Sequence, residues 1–168
     1  PFAQACGFLG LGMLLDLQGD DSYVGLRGCQ GAGMLGLGLL LDGAGDDVYR
    51  AHAYAQGCSF FGAGALIDCS GNDRYESHLY SQSVAIAGGV SFLTDWSGDD
   101  RYYAKGTMPT NYGTPGIFDA WSQGCGLGIR YYVSGGIAVL LDGGGADCME
   151  AGNFSQGGGY YFGWGLLR

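Results

Sequence analysis

The chain is predicted to be all-β, a parallel β-solenoid of about five and a half coils. Three observations say so: a repeat of 26 residues that runs without a gap through its first three units, strand candidates with side-to-side alternation, and glycine-bearing turns at fixed offsets. Anchored on glutamine, the first three units read QACGFLGLGMLLDLQGDDSYVGLRGC, QGAGMLGLGLLLDGAGDDVYRAHAYA and QGCSFFGAGALIDCSGNDRYESHLYS, starting at Gln4, Gln30 and Gln56. A fourth unit starts at Gln82 and gains one residue near Gly88 and Gly89. A fifth starts at Gln123 with an insertion around Ile129 to Val133, and a sixth starts at Gln156 and stops at Arg168. Gln, Gly, Leu, Asp, Gly, Asp and Tyr keep their offsets together, which chance similarity would not maintain.

Each unit offers two strand candidates, GLGLLLD and DVYRAHAYA, separated by a turn of the type xxGD. Helical repeats would need stripes of period ~3.6, and the frequent glycine argues against them. One unit per coil then stacks at ~4.8 Å per rung.

In the second candidate, alternation places Tyr23, Tyr49, Tyr75 and Tyr102 on one face, followed by Gly25, Ala51, Ser77 and Ala104. The other face holds Ser22, Val48, Arg74 and Arg101, then Val24, Arg50, Glu76 and Tyr103. The tyrosines are expected inward and the charged column outward, with Arg50 and Glu76 forming an exposed pair worth ~0.2–1 kcal/mol.

The first candidate has Gly10, Gly12 and Leu14 on one face and Leu9, Leu11, Met13 and Leu15 on the other. Two arrangements follow. The glycines could face inward to receive the tyrosines, leaving an apolar sheet outside that needs a cover. Alternatively the large residues fill the coil, and that is the arrangement expected.

Composition bounds the rest. Gly is 36 of 168 and Pro only 3, with no G-X-Y period, so the chain is not collagenous. A hydrophobic fraction of 47% argues against disorder. One domain, residues 1–168, is expected, with insertions at about 103–122 and 129–135. Net charge is −9 and Lys105 is the only lysine, so no basic stripe exists for nucleic acid. Apolar stretches such as Gly31 to Leu41 fall far short of a membrane-spanning helix. The absence of a start methionine and a leader suggests a mature chain or an excised piece. Cys6, Cys58 and Cys125 share a column on alternate coils, about two rungs or ~9.6 Å apart, beyond disulfide reach. With Cys29, Cys69 and Cys148 in other columns, free buried thiols are expected.

The acids are the most informative residues. Of 16 acids, 14 are Asp, and all but Asp119 fall in the turn D-x-x-G-[DN]-D-x-Y or its fifth-coil variant. The candidate ligand positions are Asp16, Asp20 and Asp21; Asp42, Asp46 and Asp47; Asp68, Asn72 and Asp73; Asp95, Asp99 and Asp100; and Asp142 and Asp147. Stacked carboxylates repel unless they splay, protonate or share a cation. Calcium, with about 6–8 oxygen ligands, suits carboxylates and turn carbonyls together. The competing account is a metal-free ladder in which Asp and Asn cap their own turn amides.

The segments DGAGDDVYR and DCSGNDRYE resemble the nonapeptide GGxGxDxUx of RTX-type calcium-binding β-rolls. That resemblance implies calcium ligation by Asp21, Asp47, Asp73, Asp100 and Asp147, with Tyr23, Tyr49, Tyr75, Tyr102 and Met149 buried. It covers roughly a third of each unit. The family's first glycine is here Asp16, Asp42, Asp68, Asp95 and Asp142, and its second survives only as Gly43 and Gly143.

Other expectations are smaller. His52 and His78 share a column, followed by Lys105; they could share a metal such as zinc, but no Cys or acid clearly completes a tetrahedral set, and an exposed polar face is expected. The segment 103–122, with Tyr112, Phe118 and Trp121, could join residues 129–133 in an aromatic shelf for a glycan or protein partner. A self-packed loop covering the apolar sheet is the favoured alternative. The unique polar groups Asp119, Lys105, Arg130 and Glu150 form no evident catalytic set. The functional expectation is therefore a non-enzymatic, calcium-binding structural or adhesive module of a larger bacterial extracellular protein. The alternatives are a glycan-binding or glycan-cleaving β-helix, and a metal-free scaffold that self-associates through the apolar sheet or open ends.

Overall fold

The computed structural model describes residues 2–110, 112 and 114–168 and, among those residues, contains strands and no α-helix. The expected parallel β-solenoid is present, with about six turns. Its longest strands are Leu11–Leu15, Leu37–Asp42, Ala63–Asp68, Val90–Asp95, Ile137–Asp142 and Trp164–Leu167, which pair in chain order to form a long sheet. A tyrosine sheet is formed by Ser22–Val24, Val48–Arg50, Arg74–Ser77, Arg101–Ala104 and Cys148–Ala151. A short sheet contains Gly7–Phe8, Gly33–Met34, Ser59–Phe60, Val84–Ile86, Cys125–Leu127 and Gly159–Tyr160. Arg27–Cys29 pairs with Ala53–Ala55 at a further corner.

Register follows the repeat. Leu37 pairs with Ala63 and Ala63 with Val90, intervals of 26 and 27 residues. Val90 then pairs with Ile137, an interval of 47, so both insertions bulge out without disturbing the ladder.

The principal core alternates two side-chain types. Leu40, Leu66, Leu93 and Leu140 are fully buried and pack against Tyr23, Tyr49, Tyr75 and Tyr102. The tyrosine rings stack nearly parallel, with centroids 4.9, 4.9 and 4.6 Å apart. The tyrosines are therefore inward, as expected.

The long sheet corrects one expectation. Its large residues do not fill the coil: Leu11 is 67% exposed and Leu37 54%. The inward positions on that strand are Gly12, Gly38 and Gly64, then Leu14, Leu40 and Leu66. The cause is close backbone approach, because a Cβ at Gly38 would lie 2.2 Å from the Ala32 carbonyl oxygen. No side chain fits at Gly38, and the column admits only small ones further on, Ser91 and Ala138. The glycines receive neighbouring backbone, and the leucines two residues later meet the tyrosines.

The loop expectations also change. Residues 111 and 113 of the 103–122 segment lie outside the described residues. Of the rest, Pro109 bridges Phe118, and Trp121 is buried with its ring stacked on Phe154 at 3.9 Å. Trp121 joins a second core with Cys58, Val84, Ile86 and Cys125. It cannot be part of an open aromatic shelf, although Tyr112 and Phe118 remain exposed. The segment does not cover the long sheet, whose outer face keeps Leu11, Leu37, Ile137 and Trp164 exposed, with Ala63 and Val90 half-buried and Val139 buried. The second insertion closes by an Ile129–Val133 bridge and leaves Tyr131 and Tyr132 exposed.

All six cysteines are free. Burial pushes the Cys29 thiol up to about 11 and that of Cys125 up to about 12, so neither is a ready nucleophile. No helix among the described residues is long and apolar enough to cross a membrane.

Candidate metal centre

The acidic turn joins the long sheet to the tyrosine sheet, and its shape depends on glycine. Gly71 has φ +157°, and a Cβ there would lie 1.7 Å from the Gly45 carbonyl oxygen one coil earlier. The tight turn brings the ends of both strands together and stacks identical aspartates over one another.

The turn has three acidic positions in different environments, the middle one being Asn72 in the third coil and Ala146 in the fifth. The first position ends the long strand. One oxygen of Asp42, Asp68, Asp95 and Asp142 accepts the N–H two residues on, at 3.2–3.3 Å, a local Asx turn. The other oxygen faces the core. Asp42, Asp68 and Asp95 accept the hydroxyls of Tyr23, Tyr49 and Tyr75 at 2.5, 2.6 and 2.7 Å. The Tyr102 hydroxyl and Asp142 Oδ2, next in the column, are buried without a hydrogen-bond partner.

The last position begins the tyrosine strand. Asp47, Asp73, Asp100 and Asp147 each accept, through Oδ1, the backbone N–H of the equivalent Asp in the preceding coil, at 2.6–3.0 Å. The middle position lies outside and its bonds run the other way. Asp20, Asp46, Asn72 and Asp99 accept N–H groups from Asp46, Asn72, Asp99 and Ala146 of the following coil, at 2.8–3.0 Å.

The first and last positions converge on four trios: Asp21, Asp42 and Asp47; Asp47, Asp68 and Asp73; Asp73, Asp95 and Asp100; and Asp100, Asp142 and Asp147. Within each, one candidate ligand oxygen per residue lies within 4.8 Å of the others. Nine of the expected ligand residues are thus brought together. Asp16, Asp20, Asp46, Asn72 and Asp99 are not, since their oxygens are turned to backbone amides.

Charge is the difficulty inside these trios. Two like charges ~4.8 Å apart repel by about 3–4 kcal/mol even at an effective dielectric of ~20. No arginine or lysine answers them; the salt bridges among the described residues involve Glu76 and Glu150. Asp47, Asp73 and Asp100 each bury an Oδ2 atom that has no hydrogen-bond partner. Burial, chiefly, pushes the Asp47 and Asp95 carboxyls up to about 6 and that of Asp100 to about 7, and raises Asp68 and Asp73 as well. Such an edge takes up either protons or cations. The donor set is all oxygen, anionic and dehydrated, which suits a hard cation that gives up its water. Calcium meets that description; magnesium, which dehydrates reluctantly, meets it poorly.

No protein-family model, curated protein or solved structure matches the chain. The site therefore rests on its own geometry.

Sequence reasoning left the glutamine column without a role. Gln30, Gln56 and Gln82 are fully buried with φ of 52–54°, at a left-handed corner. The Nε2 of Gln56 donates to the carbonyl of Tyr49 in its own coil (2.8 Å) and that of Glu76 in the next (3.2 Å). Gln30 and Gln82 repeat this pattern. A glutamine seven residues after Tyr23, Tyr49 and Tyr75 was the available signal.

The other candidates separate. His52 and His78 stack at 5.1 Å with no carboxylate or thiolate completing a set among the described residues. Lys105 donates to Glu150 at 2.9 Å. Asp119 is buried and accepts from Asn153 Nδ2 at 3.3 Å. Arg130 lies over the ring of its neighbour Tyr131.

Proposed function

We propose that this chain is a non-catalytic structural or adhesive repeat module whose inner aspartate edge is neutralised by calcium. The observation that carries the reading is the set of buried, partnerless Oδ2 atoms of Asp47, Asp73 and Asp100 inside the carboxylate trios. A trio recurs at each of four intervals between coils, which makes it a property of the repeat; a catalytic site would be expected once. Aspartates from adjacent coils would share each ion, so bound calcium would clamp coil to coil. An extracellular bacterial setting accords with this, because calcium sites of modest affinity are typical of extracellular modules.

The test is a thermal melt by circular dichroism with calcium, with magnesium and with chelator, accompanied by calorimetric titration. Binding only to the folded state stabilises by about 2.7 kcal/mol per site at roughly a hundredfold excess over Kd, so a large rise in Tm specific to calcium is expected. Asp73→Asn separates the two accounts of the edge. It retains the acceptor for the Asp47 N–H but removes charge from two trios. On the calcium reading the variant loses much of the calcium-induced rise. A variant that melts higher than the parent in chelator, where neither chain responds to calcium, would leave a proton-neutralised ladder instead.

A further inference from the structure

The outward face of the tyrosine sheet concentrates what little positive charge the molecule has. Four of the seven basic residues in a chain of net charge −9 stand there: Arg50, Arg74, Arg101 and Lys105. The two glutamates, Glu76 and Glu150, share that face, so the strands themselves carry four positive groups against two negative, with Asp46 and Asp99 outside in the adjoining turn. Beside Arg74 the turn carries Asn72 at the position occupied by Asp20, Asp46 and Asp99 in other coils.

Arg74 and Arg101 are register partners on adjacent strands, as are Glu76 and Tyr103. These four side chains border a concavity of about 310 Å³. Arg74 bonds Glu76 at 2.9 Å and Arg101 bonds Glu150 at 3.3 Å, each through a single Nη2, and both side chains remain more than half exposed. A guanidinium has five N–H donors, so both have donors to spare for a ligand.

We infer that this concavity binds an acidic polysaccharide, with a uronate carboxylate on Arg74 and Arg101. Guanidinium groups match carboxylates in charge and fork geometry. Glu76 supplies acceptors for ring hydroxyls, and the half-buried Tyr103 offers an aromatic surface for the apolar face of a sugar ring. An acidic peptide would satisfy the arginines but bring no hydroxyl array to Glu76. The inference does not depend on whether the aspartate edge binds calcium.

The experiment is calorimetric titration of the whole chain with a galacturonate oligomer too short to gel with calcium, with a neutral galactose oligomer and polyglutamate as comparators. Binding to the uronate oligomer alone is expected, weakening as salt is raised. Replacing both arginines (Arg74→Gln with Arg101→Gln) should reduce affinity by about tenfold or more, with an unchanged melting temperature. The double lysine variant, Arg74→Lys with Arg101→Lys, keeps the charge and should still bind more weakly. Equal binding of polyglutamate, no binding of the uronate oligomer, or full affinity in the glutamine variant would each overturn the inference.

Discussion

On the long sheet one outward column runs Leu11, Leu37, Ala63, Val90, Ile137, Trp164; on the tyrosine sheet one runs Ser22, Val48, Arg74, Arg101, Cys148. Both sheets have the same pleat and the same parallel pairing, and both turn apolar side chains into one core. Their outer faces differ completely. The tyrosine sheet is laced by ion pairs, Arg50–Glu76 at 2.8 Å and Lys105–Glu150 at 2.9 Å among them. The long sheet presents bare hydrocarbon. In this coil hydrophobicity alone does not say which way a strand faces. The side that backbone presses against must be small, and large apolar residues are displaced outward.

That contrast can be broken most forcibly within one strand. Leu40→Ala should cost about 2–5 kcal/mol, whereas Leu37→Ser, three residues earlier and outward, should stay within about 0.5 kcal/mol. Equal losses in denaturant titrations would mean that the outer face is covered in solution. Next in size is Tyr75→Phe, which leaves Asp95 Oδ2 buried without its donor and should cost about 1–3 kcal/mol. If it were neutral, that aspartate would already have another partner. A more gradual effect concerns pH. Asp47, Asp95 and Asp100 titrate higher when folded than the ordinary ~3.9. Their protonated forms therefore stabilise the fold below about pH 4, and that contribution is lost as pH rises through about 6–7. In chelator Tm should fall across this window, and calcium should flatten the decline. A Tm that climbs with pH in chelator would contradict the burial of these carboxyls. The smallest effect belongs to the charged face: Arg50→Ala should leave Tm nearly unchanged, since its pair with Glu76 is exposed and screened by solvent.

Much of the fold was legible because each structural constraint recurs. The tyrosine column, the outward Arg50–Glu76 pair and the position of both insertions follow from alternation and spacing alone. The direction of the long strand was not legible, because GLGLLLD has apolar residues on both faces, and nothing in the sequence says that the chain bends to press the Ala32 backbone, six residues earlier, against Gly38. At the candidate site, sequence placed the aspartates on one edge but could not separate inner from outer ones. That division depends on turn geometry: Asp46 and Asp47 are neighbours in sequence, yet Asp47 is buried within two trios while Asp46 meets solvent. Gln56 was visible as a repeat marker, but its role required knowing that the corner is left-handed and dry.

The two amide-to-carboxylate ladders of the turn run in opposite senses. Asp47 receives a bond from the coil before it, while Asp46 receives one from the coil after. Each of the four junctions between the first five coils is thereby closed by the same two bonds, one pointing each way. A folding front crossing a junction gains the same pair whether it advances toward the N-terminus or the C-terminus. The stack has no built-in direction of assembly, so any two adjacent coils that zip together can serve as the nucleus from which the rest propagates both ways.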